Sequence, residues 1–373
     1  MGMTYKSLED VCEILDSRRI PITAKNRKAG EYPYFGANGV QDYVSDYIFD
    51  DELVLLAEDG GNFGSTERPI AYRVSGKCWV NNHAHVLKAK NCIDVDYLCY
   101  SLMFYNTDGI VNGATRQKLT QAAMRQMKIP LRDMDEQMKI VRKINCIFEL
   151  IKKQKEVLDF LNQAVQARFT ELFGDPISNP YGWEKVFLKD VCSSVIRGPF
   201  GSALKKEFFV KPDETTYKVY EQKHAIQKSS EIGKYYITEE KYQELKRFEC
   251  VPGDILMSCS GTMGELYQLP EGCERGIINQ ALCKFTLNDK ILPICFLAYM
   301  KQTIGNLEIK GSGIKNIAAV SYVKAMPINL PPLEVQKKFE EFSEQTDKLK
   351  SIMKESLRKL ETMKKSLMQQ YFG

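Results

Sequence analysis

Residues 127–174 open Met127-Lys128-Ile129-Pro130-Leu131 and close Leu172-Phe173-Gly174, and the chain contains this stretch twice. The second copy, residues 326–373, opens Met326-Pro327-Ile328-Asn329-Leu330 and closes Tyr371-Phe372-Gly373. Laid over each other without a gap, at a shift of 199, the copies agree at 12 of 48 positions. Among these are Met127/Met326, Ile129/Ile328, Leu131/Leu330, Gln137/Gln336, Leu150/Leu349, Leu158/Leu357 and Leu161/Leu360. An internal duplication of this kind sets the plan of the whole molecule. The plan is body, long helix, body, long helix.

Each copy predicts a long helix. In the first, Asp133-Met134-Asp135-Glu136 fits a capping box, and Pro331-Pro332 of the second suits a first helical turn, where the missing amide would be unpaired anyway. Apolar residues then recur at three- and four-residue steps: Ile140, Ile144, Ile147, Ile151, Leu158, Leu161, Val165 and Leu172. The second copy offers Phe339, Phe342, Leu349, Met353, Leu357, Leu360, Met363 and Leu367. Some 38 residues at ~1.5 Å each make a rod of about 55 Å. One apolar side on so long a helix is poorly explained by a globular body, so the two are expected to pack on each other as an antiparallel coiled coil.

The bodies repeat as well. Leu8-Glu9-Asp10-Val11-Cys12 returns as Leu188-Lys189-Asp190-Val191-Cys192, and Asn82-His83-Ala84 as Asn279-Gln280-Ala281. β-type runs such as Leu53-Val54-Leu55-Leu56 and Ala71-Tyr72-Arg73-Val74 alternate with turns, and Val95–Leu102 reads as helix. Phe173-Gly174-Asp175-Pro176, followed by Asn179-Pro180-Tyr181-Gly182-Trp183, is a helix stop and a domain boundary. The expected division is a body at 1–126, a helix and linker at 127–178, a body at 179–325 and a helix at 326–373. The fold class is α+β, with both bodies mixed in structure. From its opening leucine to the helix start the second body is 19 residues longer than the first, so the loops differ on a shared scaffold.

Composition narrows the function. A chain of 373 residues, 44% apolar, holds about two domains with real cores. No apolar run reaches ~18 residues and the N-terminus lacks a signal-peptide core, so no membrane role is expected. The 11 cysteines include no C-x-x-C pair, and 3 histidines give no zinc-ligand spacing. They read as reduced core residues of a cytoplasmic protein. The net charge of +4 is too small to argue for nucleic acid by itself.

No catalytic constellation is found. Glu58-Asp59-Gly60-Gly61-Asn62-Phe63-Gly64-Ser65 lacks the ending of a phosphate-binding loop and reads as a turn between strands or a loop presented to a ligand. His83 and His85 lack a carboxylate or cysteine at ligand spacing, which leaves structural or DNA-facing roles. Asn179-Pro180-Tyr181 lacks the second proline of an amino-methyltransferase motif. What remains are polar-basic loops. In the first body they carry Arg18, Arg19, Lys25, Arg27, Lys28, Arg116, Gln117 and Lys118, with Asn62 and Asn82 on neighbouring turns. In the second they carry Arg197, Ser202, Lys205, Lys206, Gln222, Lys223, Lys315 and Asn316, with Thr262 and Gln280. These side-chain types grip phosphates or bond to base edges. Taken singly each cluster reads as a solvated loop; recurrence at similar places in both bodies makes them candidate DNA contacts.

The duplicated order resembles the specificity subunit of type I restriction-modification systems. The helix start Ile328-Asn329-Leu330-Pro331-Pro332-Leu333-Glu334-Val335-Gln336, the Leu-Phe-Gly-Asp-Pro exit at 172–176 and Ile196-Arg197-Gly198-Pro199-Phe200-Gly201-Ser202 carry the same likeness over essentially the whole chain. The first copy departs from it by lacking the double proline. The resemblance implies a non-enzymatic reader of double-stranded DNA, with each body a target recognition domain for one half of a bipartite, asymmetric site. The helices would be conserved regions arranged with pseudo-two-fold symmetry, fixing the spacing and docking two methyltransferase subunits. No cofactor is then expected in this chain: S-adenosylmethionine, ATP and Mg would belong to methyltransferase and restriction subunits. Two other readings stay open, the DNA-reading part of a type II enzyme that methylates and cuts, and a coiled-coil adaptor that binds protein alone.

Overall fold

In the computed structural model the described residues are 4–113, 116–309 and 320–373. They form two compact units, one of Met1–Val157 with Met353–Gly373 and one of Leu158–Ile352. Each unit thus combines one body with a part of each long helix, where the sequence suggested a linear division into bodies and helices.

The first unit is built on a six-stranded sheet. Its strand order is Cys12–Ile14, Ala84–Ala89, Phe49–Ala57, Ala71–Val80, Ala29–Gly36 and Gly39–Val44, antiparallel except where Tyr34 and Phe35 run parallel to Trp79 and Val80. The central strand is apolar on both sides because both faces are covered. Val54 and Leu56 point into one cluster with Tyr97, Leu98 and Leu102, and Leu53 and Leu55 into another with Phe49, Cys78 and Val86. The helix Val95–Met103 lies on the first face, its start capped by the Asp94 carboxylate, which accepts from the amides of Asp96 and Tyr97 at 2.9 Å each.

The second unit repeats the order of the first four strands. Cys192–Arg197, Leu282–Leu287, Ile255–Ser258 and Leu266–Gln268 form an antiparallel sheet, with the helix Pro293–Ile309 following. In place of the last two strands of the first unit stands a separate four-stranded sheet of Tyr236–Ile237, Tyr217–Tyr220, Gly276–Ile278 and Glu249–Cys250. The extra length of the second body thus goes into a different attachment on the same frame.

The long helices run Met134–Phe173 and Leu333–Phe372. Both starts are fixed by a glutamine that the repeat had marked. In the first unit the Gln137 carbonyl accepts from the Asp94 amide at 2.8 Å, and its amino group donates to the carbonyls of Cys92 at 3.0 Å and Arg132 at 2.9 Å. In the second, Gln336 accepts from the Leu292 amide at 2.8 Å and donates to Lys290 and Pro331 at 2.9 Å each. A short strand pair precedes each helix, Thr4–Ser7 with Lys128–Leu131 and Glu184–Phe187 with Pro327–Leu330.

The helices pack antiparallel inside each unit. In the first, Lys143 donates to the Tyr371 hydroxyl at 3.3 Å, Gln154 to the Met353 carbonyl at 3.2 Å, and Lys155 pairs with Glu361 at 3.2 Å. In the second, Phe339 meets Phe169 and Phe173 edge-on, both at 5.5 Å. The apolar stripe is less regular than expected. Leu349 and Met363 are exposed, while Ser343 and Thr346 are buried. The buried Ser343 lies one residue beside Phe342, so part of the inner face of the second helix is polar, while Phe339 and Met368 are buried as apolar positions. The first long helix ends at Gly174 (φ 77), and the linker folds back on the second unit. Trp183 donates to the Phe173 carbonyl at 3.1 Å, and Asn329 to that of Pro176 at 2.8 Å.

Candidate nucleic-acid interface

Sheet topology gathers several of the candidate residues at one end of the strands in each unit, while Arg18 reaches the Ile48 carbonyl at the other end of Phe49–Ala57. In the first, the loop after Phe49–Ala57, the turn before Ala84–Ala89 and the segment 116–119 adjoin. Glu58 donates its amide to the His83 carbonyl at 2.8 Å, Leu119 to Glu58 at 2.7 Å, and Gly60 to Gln117 at 3.1 Å. The long helix begins beside Cys92 and Asp94, beyond the opposite end of the strand Ala84–Ala89.

The acidic pair Glu58-Asp59, read from sequence as a turn, organises this end. Glu58 takes Arg19 at 2.7 Å and Lys118 at 3.1 Å. Asp59 takes Arg116 at 2.9 Å and the His83 ring at 2.5 Å. Arg19 is spent internally, since it also donates to the carbonyls of Asp16 at 3.0 Å and Ala84 at 2.7 Å. Beneath it His85 is buried, its ring between the Asp16 carboxylate at 2.6 Å and the Leu119 carbonyl at 2.9 Å. Burial works against the charge of Asp16, but bonds from His85, Val86 and Gln121 outweigh it and hold its carboxyl below the usual range. Asp16, Glu58 and His85 bring donor atoms within 4.8 Å of one another. With Arg19 and Lys118 on Glu58 and both ring nitrogens of His85 engaged, this set is arranged as a hydrogen-bonded seal.

The remaining candidates of the first unit differ in freedom. Arg18 is exposed and lies over the Phe49 ring at 4.8 Å, while Arg27 lies over Tyr34 at 4.2 Å and pairs with Asp42 at 3.3 Å. Lys25 and Lys28 are exposed without an ion pair among the described residues. Asn82 and Gln117 are exposed; Asn62 is half-buried and donates to the Pro69 carbonyl at 3.5 Å.

The second unit assembles its loops differently. Gly198 donates to the Leu282 carbonyl at 3.0 Å, and an added Cβ would stand 2.0 Å from the Asn279 carbonyl oxygen, so only glycine fits there. Arg197 is buried, donates through Nε to the Gln280 carbonyl at 3.2 Å, and lies 5.0 Å from the Phe200 ring centre. Its Nη1 has no partner among the described residues. Gln222 crosses to the carbonyls of Ser260 and Thr262, tying the helix Gln222–Gln227 to the exposed 260–262 turn. Lys223 pairs with Glu221 at 2.6 Å, and Lys205 with Glu207 at 3.6 Å. Ser202, Lys206 and Gln280 are exposed. Lys315 and Asn316 lie outside the described residues.

The duplicated chain matches a known family. Residues 2–159 and 180–362 both match the model for the type I restriction modification DNA specificity domain, and the chain belongs to that family. A putative type I restriction enzyme specificity subunit of Haemophilus influenzae is 28% identical over 346 residues, 89% of this chain and 84% of the relative. A putative type I restriction enzyme MjaX specificity subunit of Methanocaldococcus jannaschii is 23% identical over 293 residues, 75% of this chain and 67% of that one. The fold is similar to the crystal structure of a type I restriction-modification S subunit from M. genitalium, with a TM-score of 0.59 and 12% identity over 100% of this chain and 96% of that one. It is also similar to a chain solved in work on complex assembly and conformational transition of the type I R-M system, with a TM-score of 0.61 and 17% identity, covering 100% and 97%. No helix among the described residues is long and apolar enough to cross a membrane.

Proposed function

We propose that this chain is the DNA-reading subunit of a type I restriction-modification complex. Each body reads one half of a bipartite, asymmetric site on double-stranded DNA. The observation that carries this is the repeated frame: the same four-strand order presents basic and amide-bearing loops at the same strand ends in both units, on different attachments. One chain can thereby imitate a two-fold dimer while its halves recognise different sequences, and half-sites about one duplex turn, ~34 Å, apart suit a spacer built from long helices. The helices also dock two methyltransferase subunits. Leu150 and Phe160 on the first and Leu349 and Ile352 on the second are exposed apolar residues that support such docking. Methylation and cleavage, with S-adenosylmethionine, ATP and Mg, reside in the methyltransferase and restriction subunits, and this chain is not itself catalytic.

Exchanging residues 183–325 for the matching segment of a relative is expected to change one half-site of the methylated sequence and leave the other intact. Mapping methylated adenines genome-wide checks this; a change in both halves, or in neither, would refute modular reading. A four-residue insertion beside Gly174 is expected to shift the spacer tolerated between half-sites. The same methylation map reads that out, and an unaltered spacer would rule out the helices as the ruler.

A further inference from the structure

We infer that Arg116, held by Asp59, is a guanine-reading side chain of the first body. This rests on the proposed function and names the chemistry of one of its contacts. Three features mark Arg116 at this end of the unit, the last of which the half-exposed Lys118 lacks. First, its side chain is 61% exposed, whereas that of Arg19 is 13% exposed and spent on Glu58 and internal carbonyls. Second, the residues that follow it are fixed. The segment it opens is zipped to the acidic loop through Gly60–Gln117 and Leu119–Glu58 hydrogen bonds and an Asp59–Lys118 bridge. Third, its guanidinium is held from behind, with Nη2 on the Asp59 carboxylate at 2.9 Å and Nε alongside Gly60.

Gly60 adopts φ 64, and a Cβ there would reach 3.4 Å from Arg116 Nε, so the fork lies along bare backbone. Asp59 is itself anchored by His83 at 2.5 Å, and the Gly60 carbonyl by Asn38 at 2.9 Å. The loop that carries the buttress therefore has its own supports.

The consequence is a planar fork whose orientation is set before any ligand arrives. The Asp59 oxygen takes one N–H of Nη2; His83 Nδ1, 3.5 Å from the same nitrogen, donates to Asp59 and so does not accept the other, which with Nη1 keeps the parallel spacing that matches guanine O6 and N7. A phosphate contact needs charge but little orientation, and the exposed Lys25 and Lys28 offer that without a buttress. A carboxylate this close would also weaken a purely electrostatic grip, because it lowers the local positive potential. Its presence makes sense where geometry matters more than charge. Asp59 is then a positioning residue, and Arg116 the contact.

The test selects bound duplexes from a randomised DNA library, using the full chain co-expressed with its methyltransferase subunits. Wild type, Arg116→Ala, Arg116→Lys and Asp59→Asn are compared, with thermal midpoints to verify folding. Arg116→Ala is expected to lose a preference of about tenfold to a hundredfold for one G·C pair in one half-site, with all other positions retained. Arg116→Lys should lose it too, because a point charge lacks the fork. Asp59→Asn should weaken the same preference at an unchanged midpoint, and the double variant should be no worse than Arg116→Ala alone. Uniformly weaker binding with an unchanged sequence preference would make Arg116 a phosphate contact and overturn the inference. So would no change at all, or an Asp59→Asn effect at a different base. Failure of the wild type to select any sequence would instead strike at the DNA-reading function itself.

Discussion

Replacing Phe339 with alanine is expected to cost about 3–5 kcal/mol and to part the long helices within the second unit. Phe339 is fully buried, and its ring meets Phe169 and Phe173 at 5.5 Å each. Phe169 in turn stacks on Phe173 at 4.4 Å and approaches Tyr299 at 6.3 Å. These four rings join the end of the first long helix, the start of the second and the body helix Pro293–Ile309. Truncation removes the apolar transfer term and leaves a cavity that three converging helices cannot easily close. Hydrogen exchange should therefore accelerate first in 158–173 and 333–352, ahead of the first unit. The position repeated in the first unit is Ile140, which shares its cluster with Met368 and Phe372. Ile140→Ala should cost less, about 2–4 kcal/mol. Denaturant unfolding checks both; a Phe339→Ala loss below about 1 kcal/mol would show that the aromatic cluster does not hold the pair.

Changing Gln336 to glutamate is expected to cost about 2–4 kcal/mol although the side chain keeps its shape. The amide is fully buried, and each of its polar atoms faces a backbone partner. The carboxylate could still accept from Leu292, but its second oxygen would face the carbonyls of Lys290 and Pro331. That arrangement disfavours the charged form in the folded state and raises the folded pKa of the new group. Part of the lost stability should therefore return below the group's unfolded pKa and disappear as pH rises through the folded one. Gln137→Glu should behave alike, through Cys92 and Arg132. Thermal unfolding across pH measures this; a variant as stable as wild type at neutral pH would mean the glutamine merely fills space.

The long helices were legible, because capping chemistry and three- and four-residue spacing are local signals that the duplication states twice. The body helix at Val95 and the strands around Leu53 and Ala71 were visible for the same reason. Strand order was not, since Cys12–Ile14 pairs with Ala84–Ala89 across a gap that no local pattern spans. The interface was legible as residue types and hidden as partnerships. Arg19 and Arg116 look equivalent in sequence, yet one is sealed among Glu58 and backbone carbonyls and the other stands out on Asp59. His85 read as a histidine without a partner because Asp16 is 69 positions away. The shared Gln137 and Gln336 carried a signal that went unread: a polar identity kept in both copies at the foot of an apolar stripe.

The composition of the first unit bears on how the chain is made. Met368, Tyr371 and Phe372 belong to the cluster that contains Leu8, Val54 and Leu98, and Lys143 meets Tyr371 across 228 positions. During synthesis the first body emerges early but lacks its last wall until residues 353–373 leave the ribosome. Residues 158–352 have all they need by then, so the unit begun second closes first, against the usual order of domains on a growing chain. Until that moment the cluster that holds Ile140 and Ile144 lacks Met368, Tyr371 and Phe372. A nascent chain stalled before residue 353 is thus a natural substrate for chaperones, and truncations there should aggregate rather than yield a working half.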